Sequence, residues 1–303
     1  SCLVGSEMCI RDRQNTVEKS VRSIEHTKYS VLMPVYVKEN PVYFRQAVES
    51  MMKQTAAPDE FVLVCDGPLN NALEAVIKTM TERWPDIVKI VRLPECGGIA
   101  RALAIGVETC RNEWIARMDS DDIACPERCE KQLRRIEQNK NAQAELAFVS
   151  GAIAEFEAGR ITGTRSLPCK YEEILRFAKK RNPMNHMAVM MRRSAVLAVG
   201  NYHPVRGAED YELWVRLLQA GYRAENLPDI LVYARTDNGM IGRRGGIAYA
   251  RSALKLQKYF YQSGFLSFRQ YLENCAVRAA ASLMPGTFRR ILYRKKLRCE
   301  EQK

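Results

Sequence analysis

Four apolar runs decide the fold: SVLMPVY (residues 30–36), EFVLVC (60–65), VKIVRL (88–93) and WIARM (114–118). Each is short, built of Val, Ile, Leu and Met, and bounded by turn residues, the pattern of parallel strands buried on both faces. Between them the period becomes helical. From Pro41 to Gln54, residues Phe44, Ala47, Val48, Met51 and Met52 fall at i, i+3, i+4, i+7 and i+8 and form one apolar face. Similar segments run from Asn71 to Trp84 and from Gly97 to Cys110. Strands alternating with helices imply right-handed crossovers, so the spacing predicts an α/β fold with a twisted, mainly parallel sheet covered by helices on both faces. Such sheets bind ligands beyond the carboxyl ends of their strands.

Downstream, a charged helix is expected in ERCEKQLRRIEQ (127–138), and AELAFVSGAIAEF (144–156) can pair with RITGTRSLP (160–168) as a hairpin. KRNPMNHMAVMMRRSAV (180–196) follows, then AEDYELWVRLLQAG (208–221), a helix stopped by Gly221. At 303 residues, 47% apolar and 27% charged, the chain can bury a real core, which excludes disorder, collagen and a disulfide-stapled miniprotein. Its ten cysteines include no C-x-x-C pair, which favours free thiols over a zinc site. No run of eighteen apolar residues occurs and no signal-peptide stretch is visible, so the expectation is a cytoplasmic protein without a spanning helix.

Net charge is +12, and its placement is uneven: fourteen of the 47 Lys and Arg lie from Arg243 to Lys303, against three of the 35 acids. A near-neutral body with a basic helical end fits a domain held against an anionic surface, and the basic amphipathic stretch around Phe288, Ile291 and Leu292 reads as interfacial. The first thirteen residues, SCLVGSEMCIRDR, resemble a translated sequencing adapter and are set aside. The expected organisation is therefore an artefact at 1–13, an extension at 14–27, the catalytic or binding body at 28–242 and a basic, helical, membrane-associating segment at 243–303.

The unusual residues sit where the predicted strands end. Asp119-Ser120-Asp121 follows WIARM, and in extended backbone residues i and i+2 point the same way, so two hard oxygen ligands can converge on Mg²⁺ or Mn²⁺. The same aspartates also suit turns and caps before the helix at Pro126. Asp66 closes the second strand, where a carboxylate can meet a base or ribose, or can simply make an Asp-Gly turn. Arg101, after Gly97-Gly98, can reach a base carbonyl or phosphate, or face solvent. Glu209-Asp210 opens a helix, so it is either a dipole-favoured cap or a general base at Asp210. His186 is a core histidine or a metal ligand. Arg243 and Arg244 in GRRGG clamp a diphosphate, or face solvent or lipid headgroups.

Taken in order, SVLMPVY, CDGPL, G-x-x-R-A-L, RMDSDD, KRNPMNHM, EDYELWVR and NGM-x-x-RRGG resemble glycosyltransferase family 2, and within it the exopolysaccharide branch typified by amylovoran-biosynthesis enzymes. The likeness runs from about Tyr29 to Gly246. It implies a GT-A, Rossmann-like fold and an inverting, metal-dependent hexosyltransferase that uses a nucleotide-sugar, a UDP-sugar by expectation. The implied acceptor is a prenyl-diphosphate-linked saccharide in exopolysaccharide, O-antigen or capsule synthesis, met at the inner face of the cytoplasmic membrane. Carried over by residue, the resemblance puts Pro34, Val35, Tyr36 and Glu39 at the nucleotide rim, Asp66 on the base, Arg101 near base or phosphate, and Asp119 and Ser120 on the donor. Asp121 becomes the firmer ligand of Mn²⁺ or Mg²⁺ with Asp119 beside it. Asp210 becomes the catalytic base, with Glu209, Trp214 and Arg216 shaping the acceptor side. Cys96 and Ala104 stand where family members often carry asparagine.

The rival of another class is a GT-A-like scaffold or binding protein that has lost catalysis, but such proteins usually lose the carboxylates that are present here. Nucleic acid is not expected as a partner, because the basic end carries few interleaved aromatics. A nucleotidyltransferase would bring a Gly-rich phosphate loop after the first strand, and VYVKENP is not one.

Overall fold

The computed structural model describes residues 27–140, 145–205, 207–236 and 247–283. The segment 1–13, nearly all of the extension 14–27, Arg243, Arg244 and the basic end beyond Leu283 lie outside the described residues.

The first half of the sheet follows the sequence expectation. Strands β1 (Tyr29–Tyr36), β2 (Glu60–Asp66), β3 (Val88–Arg92) and β4 (Trp114–Arg117) pair in parallel in the order β3-β2-β1-β4. Helices α1 (Pro41–Met52), α2 (Asn71–Arg83) and α3 (Ile99–Thr109) make the crossovers. Asn40 starts α1 by accepting from the Val42 amide at 2.9 Å, with Pro41 in the first turn, where its missing N–H costs nothing. Asn70 caps α2 through the Leu73 amide at 3.0 Å. The chain moves outward from β1 to β3 and then returns to β4 on the other side of β1, so the reversal of strand order lies between β1 and β4.

Beyond β4 the sheet is mixed. Strand β5 (Ile123–Ala124), β6 (Leu146–Glu157), β7 (Arg160–Arg165), β8 (Met190–Arg192) and β9 (Arg223–Arg235) continue it as β4-β8-β6-β9-β5, with β7 on β6. β8 is antiparallel to both β4 and β6, while β6 and β9 are parallel. The β6–β7 pair is the expected hairpin, and its turn residues Ala158 and Gly159 both have positive φ (49° and 78°). Helices α4 (Arg128–Gln138), α5 (Tyr171–Ala178), α6 (Arg193–Ala198) and α7 (Glu209–Gln219) complete the body.

Because side chains alternate along a strand, β1 feeds two cores. Val31, Met33 and Val35 pack with Phe44, Val48 and Met51 of α1, Leu73 and Ile77 of α2, and Leu133 of α4. Leu32 faces the other way, with Leu103 and Val107 of α3 and Leu213, Trp214 and Leu217 of α7. α3 sits so close to β1 that a Cβ at Gly106 would lie 2.2 Å from Leu32 Cδ1, which fixes glycine there.

The last described elements, α8 (Ile247–Gln262) and α9 (Phe268–Leu283), are not a separate tail. Leu256, Phe260, Phe265 and Leu266 enter the same core as Trp214, and Phe260 meets Tyr211 of α7 edge-on with ring centroids 5.0 Å apart. The composition break near residue 240 is therefore not a packing boundary, because the i, i+4 pair Leu256 and Phe260 covers α7 whatever the charge on the opposite side of α8.

Candidate active site

The crevice at the carboxyl ends of β1, β2 and β4 gathers the predicted donor residues. Tyr36 and Asp66 are register partners at the ends of adjacent strands. Asp66 is buried, and its carboxylate accepts from the Gly97 amide at 2.7 Å, the Gly98 amide at 2.9 Å and the Cys96 thiol at 3.2 Å. It thus organises the loop entering α3, and a simple Asp-Gly turn would not require this. That hydrogen bond to Asp66 pushes the Cys96 thiol up from its ordinary value. Gly67 permits the arrangement: its φ is +86° and a Cβ there would fall 2.8 Å from the Cys96 nitrogen. Arg101 folds over Gly97, where a Cβ would come within 2.3 Å of Arg101 Cδ, and its Nη1 lies 3.5 Å from Glu95 Oε1. Pro34 and Val35 lie inside β1 with buried side chains, so of the expected rim only Tyr36 and Glu39 present side chains to the crevice. Glu39 accepts from Ser120 Oγ at 2.7 Å and so ties the loop after β1 to the loop after β4, across the reversal point.

The four residues Asp119 to Asp122 separate into different jobs. Asp119 pairs with Arg117 Nη2 at 2.6 Å while keeping about a quarter of its side chain exposed. Asp121 is half-buried, and its carbonyl accepts from Arg235 Nε at 3.0 Å. Asp122 is buried and accepts from the Arg235 amide at 2.8 Å, so it joins β9 to this loop. Burial first, then the charges of Asp119 and Asp121, raise its carboxyl well above the usual range.

Across the crevice, α7 begins with Glu209 and Asp210. Asp210 accepts from Asn182 Nδ2 at 2.5 Å and from the Tyr211 amide at 2.8 Å. Glu209 is buried; burial, then the Asp210 charge, pushes its carboxyl up to about 7. His186 shares a 3.0 Å hydrogen bond between its Nε2 and the Tyr202 hydroxyl, and burial followed by the Arg117 charge holds its basicity well below the ordinary value. Ligand atoms of His186, Glu209 and Asp210 lie within 4.8 Å of one another. His186 thus belongs to the acid pair as well as to the core.

Two expected acceptor-side residues lie elsewhere. Trp214 is fully buried, stacked on Phe148 at 5.0 Å and 16°, with the His186 ring edge-on at 5.9 Å. Four residues after Asp210, it lies one turn further along α7, where that face has passed from the crevice into the core. Arg216 grips both oxygens of buried Glu212 at 2.8 Å and donates to the carbonyls of Asn201 (2.6 Å) and Val199. It fastens α7 to the preceding loop and presents no acceptor face. Conversely, Arg117, Asn182, Tyr202 and Arg235 were not singled out. Only Arg117 had a usable signal, since i−2 from Asp119 on a strand shares its side of the sheet. Among the described residues, the imidazole of His186 and the carboxylates of Glu209 and Asp210 offer ligand atoms close enough together to suit a divalent cation, while Asp119 and Asp121 lie on the loop after β4.

The model of the family described as "Glycosyl transferase family 2" matches residues 30–199. Over 272 residues the chain is 35% identical to the amylovoran biosynthesis glycosyltransferase AmsE of Erwinia amylovora, covering 88% of this chain and 98% of that protein. Over 273 residues it is 33% identical to an Escherichia coli enzyme named UDP-Gal:alpha-D-GlcNAc-diphosphoundecaprenol beta-1,3-galactosyltransferase, covering 89% and 97%. The fold is similar to residues 1–349 of S. aureus TarS in complex with UDP-GlcNAc, with a TM-score of 0.62 at 16% identity over 91% of this chain and 77% of that one. This likeness identifies the curled mixed sheet as the GT-A type. The chain is a glycosyltransferase and belongs to glycosyltransferase family 2.

Proposed function

We propose that the protein transfers one sugar from a UDP-sugar to a hydroxyl of a prenyl-diphosphate-linked saccharide, with inversion, in the assembly of a surface polysaccharide. The observation that carries the reading is Asp210, oriented by Asn182 and set beside Glu209 and His186. The acceptor oxygen attacks the anomeric carbon as the bond from that carbon to the diphosphate oxygen breaks. The hydroxyl proton goes to Asp210, and the nucleoside diphosphate leaves with the bonding electrons. Attack from the side opposite the leaving group in one displacement inverts the centre. Tyr36 and Asp66 hold the base, with Arg101 beside them. Asp121, with Asp119 beside it, would hold Mn²⁺ or Mg²⁺, which would supply positive charge for the departing diphosphate. The donor and acceptor classes are supported by the name of the E. coli relative. With Mn²⁺, lipid extract and a panel of UDP-, GDP- and dTDP-sugars, free nucleoside diphosphate should appear from a UDP-sugar alone. No release from any donor, with no donor binding by calorimetry, would put the binding-protein reading first.

An anionic membrane surface is the proposed partner at the cytoplasmic face. Among the described residues no helix is long and apolar enough to cross a membrane. Instead the α8–α9 pair carries a cleft of about 370 Å³ lined by Ala250, Arg251, Leu254, Lys255, Lys258 and Tyr271, next to exposed Phe268, Leu272 and Val277. Cations beside exposed apolar side chains suit the lipid headgroup boundary, and Arg243, Arg244 and the basic residues after Pro285 extend the positive charge along the chain. Each Lys or Arg near such a surface contributes about 1 kcal/mol. Replacing Arg251, Lys255 and Lys258 together by Glu should abolish flotation with phosphatidylserine vesicles without changing the melting temperature. Undiminished flotation would remove this face as the docking surface.

A further inference from the structure

Two arginines are completely buried around the end of β4, and they are used differently. Arg128, at the start of α4, is engaged all round: Nη2 donates to the Arg117 carbonyl at 2.7 Å and the Val189 carbonyl at 3.4 Å, Nε to Gln132 Oε1 at 3.3 Å, and Nη1 lies 3.1 Å from Met118 Sδ. It is a structural cation, closing the carbonyl of Arg117 at the end of β4 and that of Val189 just before β8. Arg117 projects from the opposite face of β4. Its neighbours in sequence, Ala116 and Met118, belong to the core under α1 and α2, while Ile115, on its own side, belongs to the core of α3 and α7. The Arg117 side chain is 1% exposed and has one acidic partner, Asp119, at 2.6 Å. Its Nε and Nη1 have no hydrogen-bond partner among the described residues.

A buried guanidinium with a single carboxylate and two N–H-bearing nitrogens uncompensated is a poor device for stability; an apolar side chain of similar volume is commonly as good or better. What distinguishes the position is what surrounds it. Tyr202 and Trp214 share this core, and both contact the His186 ring, through the 3.0 Å hydrogen bond and the edge-on contact at 5.9 Å. His186 in turn stands within 4.8 Å of the ligand atoms of Glu209 and Asp210.

We propose that Arg117 is a positioning residue joining the two halves of the active site, fixing Asp119 on the donor side while its buried side chain fills the side of the sheet whose core holds Tyr202, the hydrogen-bond partner of His186 on the acceptor side. The inference rests on the transferase reading above. Without the cation, Asp119 loses its anchor and the core beside Tyr202 and His186 loses the group that fills it. The protein tolerates an incompletely bonded buried charge because geometry at the reacting centre depends on it.

The test compares wild type, Arg117→Met and Arg117→Lys in the full chain by thermal unfolding, calorimetric binding of UDP and steady-state release of UDP. The Met variant should melt no lower than wild type, yet bind UDP more weakly and lose kcat by about ten- to a hundred-fold, the usual range for removing a supporting partner. Lys keeps a cation against Asp119 but not the fork, so it should recover UDP affinity and the donor KM without recovering kcat. A Met variant with wild-type UDP affinity, KM and kcat overturns the inference while leaving the transferase reading intact. So does a Met variant that melts early but keeps kcat and KM per folded molecule, since that is a purely structural role. Wild-type protein that releases no UDP overturns the transferase reading and this inference with it.

Discussion

Replacing Asp210 with Asn should lower turnover by about 10²- to 10⁴-fold, the span attributed to a positioned general base, while leaving donor affinity nearly unchanged. Asparagine has the same shape, and by presenting its amide oxygen it can still accept from Asn182 and hold the start of α7. What it cannot do is take a proton. The donor-side groups Tyr36, Asp66 and Asp119 end other strands and do not depend on α7, so calorimetric binding of a UDP-sugar should survive. Glu209 is a poor substitute because its side chain is buried away from an incoming acceptor. Steady-state release of nucleoside diphosphate checks the loss. Unchanged turnover would remove Asp210 as the base, and equal loss of donor binding would make its role structural.

Much of this site was legible in the sequence because its parts are local. The strands end where the apolar runs end, and Asp66, Asp119 and Asp210 fall at those ends or at a helix start. The same locality explains what was not legible. Asp210 is oriented by a residue 28 positions earlier and Asp122 is satisfied by one 113 positions later, and no periodicity reports such pairings. Trp214 and Arg216 carry functional-looking side chains within a helix whose start is functional. Yet one turn along the helix the first is already inside the core, and the second is turned onto Glu212. Likewise, charge composition set α8 and α9 apart from the body, although burial of Leu256 and Phe260 makes them part of it. Charge records what a helix shows to solvent, whereas its apolar stripe decides where it packs.

Asp121→Asn should cut kcat/KM by on the order of 10²-fold or more, and chelation of divalent metal should bring wild type to the same level. The physical basis is crowding of charge. Asp119, Asp121 and Asp122 follow one strand within four residues, Arg117 compensates Asp119, and burial, then the charges of Asp119 and Asp121, raise the Asp122 carboxyl well above its usual range. Asp121 has its backbone fixed by Arg235 and its side chain half-buried, so its carboxylate is placed by the fold and is not free to swing away. A bound divalent cation would relieve this repulsion in the folded state only, so millimolar Mn²⁺ should raise the melting temperature of wild type through mass action. Asn at 121 keeps the size but removes one full charge and one hard ligand, so that rise should shrink and the Mn²⁺ concentration for half-maximal rate should increase. The two perturbations remove the same interaction, so chelator added to Asp121→Asn should have little further effect. Additive losses would place the cation on other carboxylates, with Glu209 and Asp210 beside His186 the alternative set.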